Sequence, residues 1–172
     1  MFDSDRLDTS KSVILVGVEH GLPDAVLIEA AHLARDLGCD LVCAHVDLGR
    51  YMVREDPDGE VHSLPFDPDL PEELDDVFDS ELAAHIESVL KETGITWSKR
   101  ELAGDPARAL GHLANIVNAR MIVVGTHPAG LRSSLHEFFH SSVSLHLAHR
   151  QHRPVLVVPL SPIVDGQKLP WE

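Results

Sequence analysis

The sequence predicts an α/β domain, a doubly wound five-stranded parallel sheet with helices on both faces. Three observations carry that prediction. Residues 12–18 (SVILVGV), 40–46 (DLVCAHV), 121–124 (MIVV) and 154–159 (PVLVVP) are nearly continuous apolar runs rich in β-branched residues, as strands covered on both faces should be. The stretches between them carry apolar residues at helical spacing. Strand and helix signals alternate along the chain, which is the order produced by right-handed crossovers between parallel strands.

Taken in order, residues 1–11 are polar and without periodicity and read as a tail. The first strand follows at 12–18. Gly21 breaks it, Pro23 suits a first helical turn, and Val26, Ala30, Leu33 and Leu37 recur on one helix face until Gly38 ends the pattern. After the second strand at 40–46, residues 50–71 hold four prolines, a glycine and many acids, and read as a long acidic connection, either mobile or functional. From Glu72, the spacing of Leu74, Val77, Phe78, Leu82, His85, Ile86 and Val89 predicts a long amphipathic helix ended by Gly94. Its first turns hold Glu72, Glu73, Asp75 and Asp76, where the helix dipole favours negative charge.

Residues 95–102 form a short strand. Gly104-Asp105-Pro106 then starts a helix, with Asp105 as the cap and Pro106 where a missing N–H costs nothing. Leu110, Leu113, Ala114 and Val117 carry it to the strand at 121–124, which ends at Gly125. The last strand is 154–159, and residues 161–172 form a second tail, so the domain spans 12–160. In such sheets ligands bind beyond the carboxyl ends of the strands where strand order reverses, which directs attention to Gly17–His20, to Val46 and Asp47, and to Gly125–Gly130.

Composition narrows the function classes. Hydrophobic residues at 44% and charged residues at 24% are ordinary for a globular domain of 172 residues. The formal charge of -14 opposes non-specific attraction to nucleic acid or an anionic membrane, so neither is expected as a partner. Residues 55–81 hold 12 carboxylates in 27 positions and no Lys or Arg, which reads as a solvated surface rather than a cation site. Cys39 and Cys43, four residues apart, are poorly placed for a mutual disulfide and have no second pair for a zinc cluster. With the polar character of residues 1–11, these features lead to the expectation of a cytoplasmic protein.

Four stretches, SVILVGVEHG, LVCAHV, ELAGDPARAL, and ARMIVVGTHPAG with SSVSLHLAHRQHRPVLVVP, resemble the universal stress protein family over residues 12–160. The resemblance implies the fold of the adenine nucleotide alpha hydrolase-like proteins, a homodimer and, in one branch of the family, ATP held by a G-x-x-G-x9-G-[ST] loop. Glycines suit that task because phosphates must come close to backbone N–H groups. On this chain the implied nucleotide-binding residues are Gly17, Val18 and Glu19 after the first strand, Val46 on the apolar side of an adenine pocket, and Gly125, Thr126, Gly130, Ser141, Ser142 and Val143. The chain departs from the motif. Glu19 stands for the usual Asp, Pro128 for the second glycine and Ser141 for the third, and extra residues lie between them. Pro128 removes an N–H donor, whereas the Ser141 hydroxyl can itself donate to a phosphate. The resemblance therefore implies a cleft for an adenine nucleotide, ATP or AMP, with a degenerate triphosphate loop.

His136-Glu137-x-x-His140, with His146 ten residues after His136, matches the spacing of zinc peptidases. The turn glycine of that pattern is Val143 here, and no methionine follows Met121. With 12 histidines in the chain such spacings arise readily, and the row His136, His140, His146, His149 and His152 reads as exposed imidazoles. No metal is expected, and a histidine-based metal binder is an alternative. The last strand, bounded by Pro154 and Pro159, has the form of a length-limited edge, and in the family it pairs with its twofold mate. The expected function is a dimeric binding or regulatory module, not an enzyme, acting through a regulatory protein partner that the sequence does not identify. An ATP switch with slow hydrolysis is the other alternative.

Overall fold

The computed structural model describes residues 11–69, 78–126 and 137–160, with the backbone alone for 137–142. The elements are β1 (Val13–Gly17), α1 (Asp24–Leu37), β2 (Asp40–Asp47), β3 (Arg50–Glu55), β4 (Val61–Pro65), α2 (Ser80–Leu90), β5 (Trp97–Ala103), α3 (Pro106–Ile116), β6 (Ala119–Gly125), α4 (Glu137–Arg150) and β7 (Val155–Val158). β5, β2, β1, β6 and β7 form one parallel sheet in that order. The chain winds outward from β1 through β2 to β5, then crosses to the other side of β1 for β6 and β7. The reversal lies between β1 and β6, where Gly17 and Gly125 end their strands.

Both faces of the sheet are covered at its centre, which is why β1, β2 and β6 lack the polar alternation that the edge strand β5 shows. Ile14 and Val16 of β1, Leu41 and Cys43 of β2 and Val123 of β6 pack against Val26, Ala30 and Ala34 of α1 and Leu82, Ile86 and Leu90 of α2. On the other face Leu15, Val42, Ala44 and Ile122 meet Leu110, Leu113 and Ala114 of α3 and Leu147 of α4. The helix ends follow local chemistry. Gly38 terminates α1 in the left-handed region at φ 64, and Asp105 caps α3 by accepting the Arg108 N–H at 2.9 Å, with Pro106 in the first turn.

Two expectations are corrected. Within the stretch 50–71, read as a long connection, residues 50–65 are a regular element, because β3 and β4 form an antiparallel hairpin. Pro65 falls at the end of β4 and Pro57 in the turn, so neither interrupts the ladder. Gly59, at φ 85, makes that turn and donates its N–H to Asp56 O at 2.9 Å, while Asp56 N–H donates to Glu60 O at 2.8 Å. The buried Arg50 guanidinium holds the two strands together through Ser63, with Nε to Oγ at 2.8 Å and Nη2 to the carbonyl at 2.8 Å. The hairpin is docked on the domain. Val61 is buried with Leu113, and the Gly59 backbone lies so close to α3 that a Cβ there would sit 2.8 Å from Leu113 Cδ1.

The second helix starts at Ser80, not in its expected place at Glu72. Asp79 takes an extended backbone, with ψ 130, and accepts the Leu82 N–H at 2.8 Å, which makes it the cap. Phe78 is buried just ahead of the helix, so its apolar character reports the core and not the helix face. The expected first turns with Glu72 to Asp76 lie outside the described residues, as do the tails at 1–10 and 161–172. Lys11, assigned to the tail, forms an ion pair with the buried Asp40.

Candidate functional site

A cleft of about 460 Å³ opens at the carboxyl ends of β1, β2 and β6, where the winding reverses. Pro106 and Leu110 of α3, Val124 of β6 and Val143 of α4 give it an apolar wall, continued by Ala44 and Val46 of β2. Glu19, His20, His45 and Asp47 supply its polar side. Pro106 and Leu110 face the cleft together because they lie four residues apart on one helix.

Among the residues singled out from the sequence, Gly17, Val18, Glu19, Val46, Gly125 and Val143 line this one cleft. Thr126 sits elsewhere: its hydroxyl accepts the Leu160 N–H at 2.7 Å and its own N–H donates to Val158 O at 2.9 Å, so both groups fasten the end of β6 to β7. Gly130 and Pro128 lie outside the described residues. Ser141 and Ser142 fall within α4, with side chains outside the described residues. Gly125 has a packing role as well. A Cβ there would lie 2.9 Å from Val26 Cγ2 and 3.0 Å from Leu160 Cδ1, and its φ is not in the left-handed region. Close approach of α1 therefore explains this glycine, rather than a turn.

The feature that sequence reasoning missed is a half-buried pair at the floor of the polar side. His45 and Glu101 are direct partners in the β2–β5 register, and His45 Nδ1 lies 2.7 Å from Glu101 Oε1. Burial pulls the His45 pKa down, yet the hydrogen bond and charge of Glu101, with Asp47 and Glu19 beyond, carry it above the ordinary histidine value. Burial raises Glu101 against the opposing pull of His45. Both shifts favour a proton held between the two groups. The other carboxylate oxygen of Glu101 is buried with no hydrogen-bond partner among the described residues. His20 stands over the pair, its ring centroid 6.3 Å from that of His45 and its Nε2 3.5 Å from Asp79 Oδ1. The only trace of this in the sequence is a titratable residue near the end of an otherwise apolar strand.

The histidine row separates by position. His146, His149 and His152 are exposed, while His136 and the side chain of His140 lie outside the described residues. Among the described residues no group of three or more His, Cys, Asp or Glu side chains is arranged to hold a metal ion, and no helix is long and apolar enough to cross a membrane. Cys39 and Cys43 are buried free thiols, and burial pushes Cys43 far above the usual thiol range.

A comparison with curated proteins returns no match. Solved structures similar to this chain include a universal stress protein from Archaeoglobus fulgidus, at 18% identity and a TM-score of 0.58, covering 86% of this chain and 93% of that one. A universal stress protein in complex with cAMP is 22% identical with a TM-score of 0.57, covering 88% and 98%. A universal stress protein from Archaeoglobus fulgidus in complex with dAMP is 20% identical with a TM-score of 0.55, covering 86% of this chain and 97% of that one. These likenesses establish the fold. A sequence profile of the universal stress protein family matches residues 12–159, every element of the sheet included, and the chain belongs to that family.

Proposed function

We propose that this chain is a binding module whose cleft takes the nucleoside part of an adenine nucleotide and prefers a monophosphate to a triphosphate. The observation that carries the proposal is the division of the cleft into an apolar wall and a carboxylate-bearing side. Val46, Leu110, Val124 and Val143 offer a purine the apolar contact it needs, and Glu19 and Asp47 offer acceptors to ribose hydroxyls or an exocyclic amine. The relatives solved with cAMP and dAMP support that reading. Among the described lining residues there is no Lys or Arg, and His45 is already paired with Glu101, so each further phosphate adds negative charge opposite Glu19 and Asp47 without an uncommitted cation to offset it.

Calorimetric titration of the full chain with AMP, cAMP, ADP and ATP tests this. AMP or cAMP should bind, ATP with magnesium should bind at least tenfold more weakly, and Val46→Asp should abolish the heat of the former. Absence of heat for every nucleotide, or tighter binding of ATP than AMP, would overturn the proposal.

The module is also proposed to act as a homodimer through β7. This strand is at the sheet edge, pairs with β6 on one side, and exposes Leu156 at 36% and Val157 at 38%. Equilibrium sedimentation should give twice the chain mass, and Leu156→Lys should return the monomer. A monomer in the unaltered protein would refute it.

A further inference from the structure

We propose that the groove between the β3–β4 hairpin and the outer face of α3 is a second ligand site, for a small molecule with an apolar body and one anionic head group such as a carboxylate. It is separate from the nucleotide cleft and does not depend on it. The groove has a volume of about 600 Å³. Its floor is apolar, with Val61 of the hairpin, Leu102 of β5 and Ala107 of α3 all buried, and Met52 of β3, 49% exposed, stands beside them.

Two glycines shape the walls. Without a side chain at Gly59 the hairpin turn can approach Leu113, and without one at Gly111 the end of α4 comes in so far that Gln151 Cβ lies 3.6 Å from where a Cβ would be.

The charges at the rim define the ligand. Glu55 and Asp105 are the acids that line the groove, and both are engaged. Glu55 Oε2 lies 2.7 Å from His112 Nε2, and Asp105 Oδ1 accepts the Arg108 N–H as the cap of α3. Arg108 and Arg150 line the same groove, and among the described residues neither guanidinium has an ion-pair or hydrogen-bond partner. In a chain with 28 acids and 14 bases, this groove sets two arginines against its two carboxylates, so an anion there meets less repulsion than the field of the whole gives, and the guanidiniums are the groups left open to bind it. A guanidinium offers a planar pair of N–H donors matched to a carboxylate. Among the described residues no Phe, Tyr or Trp lines the groove, so they offer no ring on which a nucleotide base would stack, whereas an alkyl chain needs only the aliphatic floor.

The probe is octanoate, titrated into the isotope-labelled full chain and followed by amide NMR shifts, with octylammonium as the charge-reversed control. Octanoate should move the amides of Met52, Arg108, Gly111 and His112 saturably. The double variant R108Q/R150Q should bind at least tenfold more weakly while keeping its thermal midpoint, and octylammonium should leave those amides in place. The proposal is overturned if octanoate moves no groove amide, if R108Q/R150Q binds as the unaltered chain does, or if octylammonium acts equally. It is also overturned if the groove amides shift on diluting the protein alone, which would assign the groove to a second copy.

Discussion

Gly125→Ala separates a glycine kept for packing from one kept for a ligand. The backbone at Gly125 is not in the left-handed region, so alanine is compatible with its conformation. What the new methyl meets is Val26 Cγ2 at 2.9 Å, Leu160 Cδ1 at 3.0 Å and Leu22 Cδ1 at 3.3 Å. The two leucine methyls end flexible side chains and can swing aside. Val26 cannot, because it is fully buried in α1 and a β-branched residue in a helix has essentially one rotamer. Overpacking of this kind costs about 1–3 kcal/mol. At about 2–4 °C per kcal/mol for a domain of this length, the thermal midpoint should fall by roughly 2–12 °C.

The assay is a double-mutant cycle with Val26→Ala, read by urea denaturation. Val26→Ala removes the obstructing methyl, so the double variant should be more stable than the sum of the single costs predicts, by at least about 0.5 kcal/mol. Strictly additive costs, or a Gly125→Ala protein as stable as the original, would falsify the packing argument. Weaker AMP binding in Gly125→Ala with no change in stability would move the glycine to the ligand side of the ledger.

Two further outcomes are expected. Because His45 binds its proton more tightly in the folded chain than at its ordinary value, its stabilisation is complete below about pH 6.5 and declines as pH rises through the raised folded value. Urea midpoints between about pH 6 and 8 should show that decline, and Glu101→Gln, which removes the charge opposite His45 Nδ1, should flatten it; an equal slope in both proteins would assign the effect to other histidines. Gly59→Ala forces a left-handed backbone at φ 85 on alanine and places its methyl 2.8 Å from Leu113 Cδ1, so it should cost about 1–3 kcal/mol and speed hydrogen exchange at the hairpin amides of Asp56 and Phe66. Unchanged exchange there would mean that the hairpin does not depend on its contact with α3.

The parallel sheet was legible in the chain because its causes are local. Val13 to Val16, Leu41 to Ala44 and Ile122 to Val124 are buried on both faces, and only a run without polar alternation tolerates that. The start of α3 was equally readable, since Asp105 and Pro106 act on N–H groups within one turn of themselves. Gly17, Val46 and Gly125 could be assigned to one cleft because the reversal rule depends only on strand order.

Where an outcome depended on residues far apart in the chain, local signals misled or were silent. The prolines and acids of residues 50–71 outweighed the β-forming Tyr51, Met52, Val53 and Val61, because nothing nearby shows that Arg50 reaches Ser63 or that α3 offers the hairpin a surface. Gly125 announces a missing side chain but not that Val26 fills the space. His45 and Glu101 are 56 positions apart and become neighbours only when β2 and β5 align in register. Periodicity and capping act within a few residues and can be read from the chain itself. The charge of the cleft and the packing of its glycine arise from contacts between separate elements, and only the assembled sheet decides them.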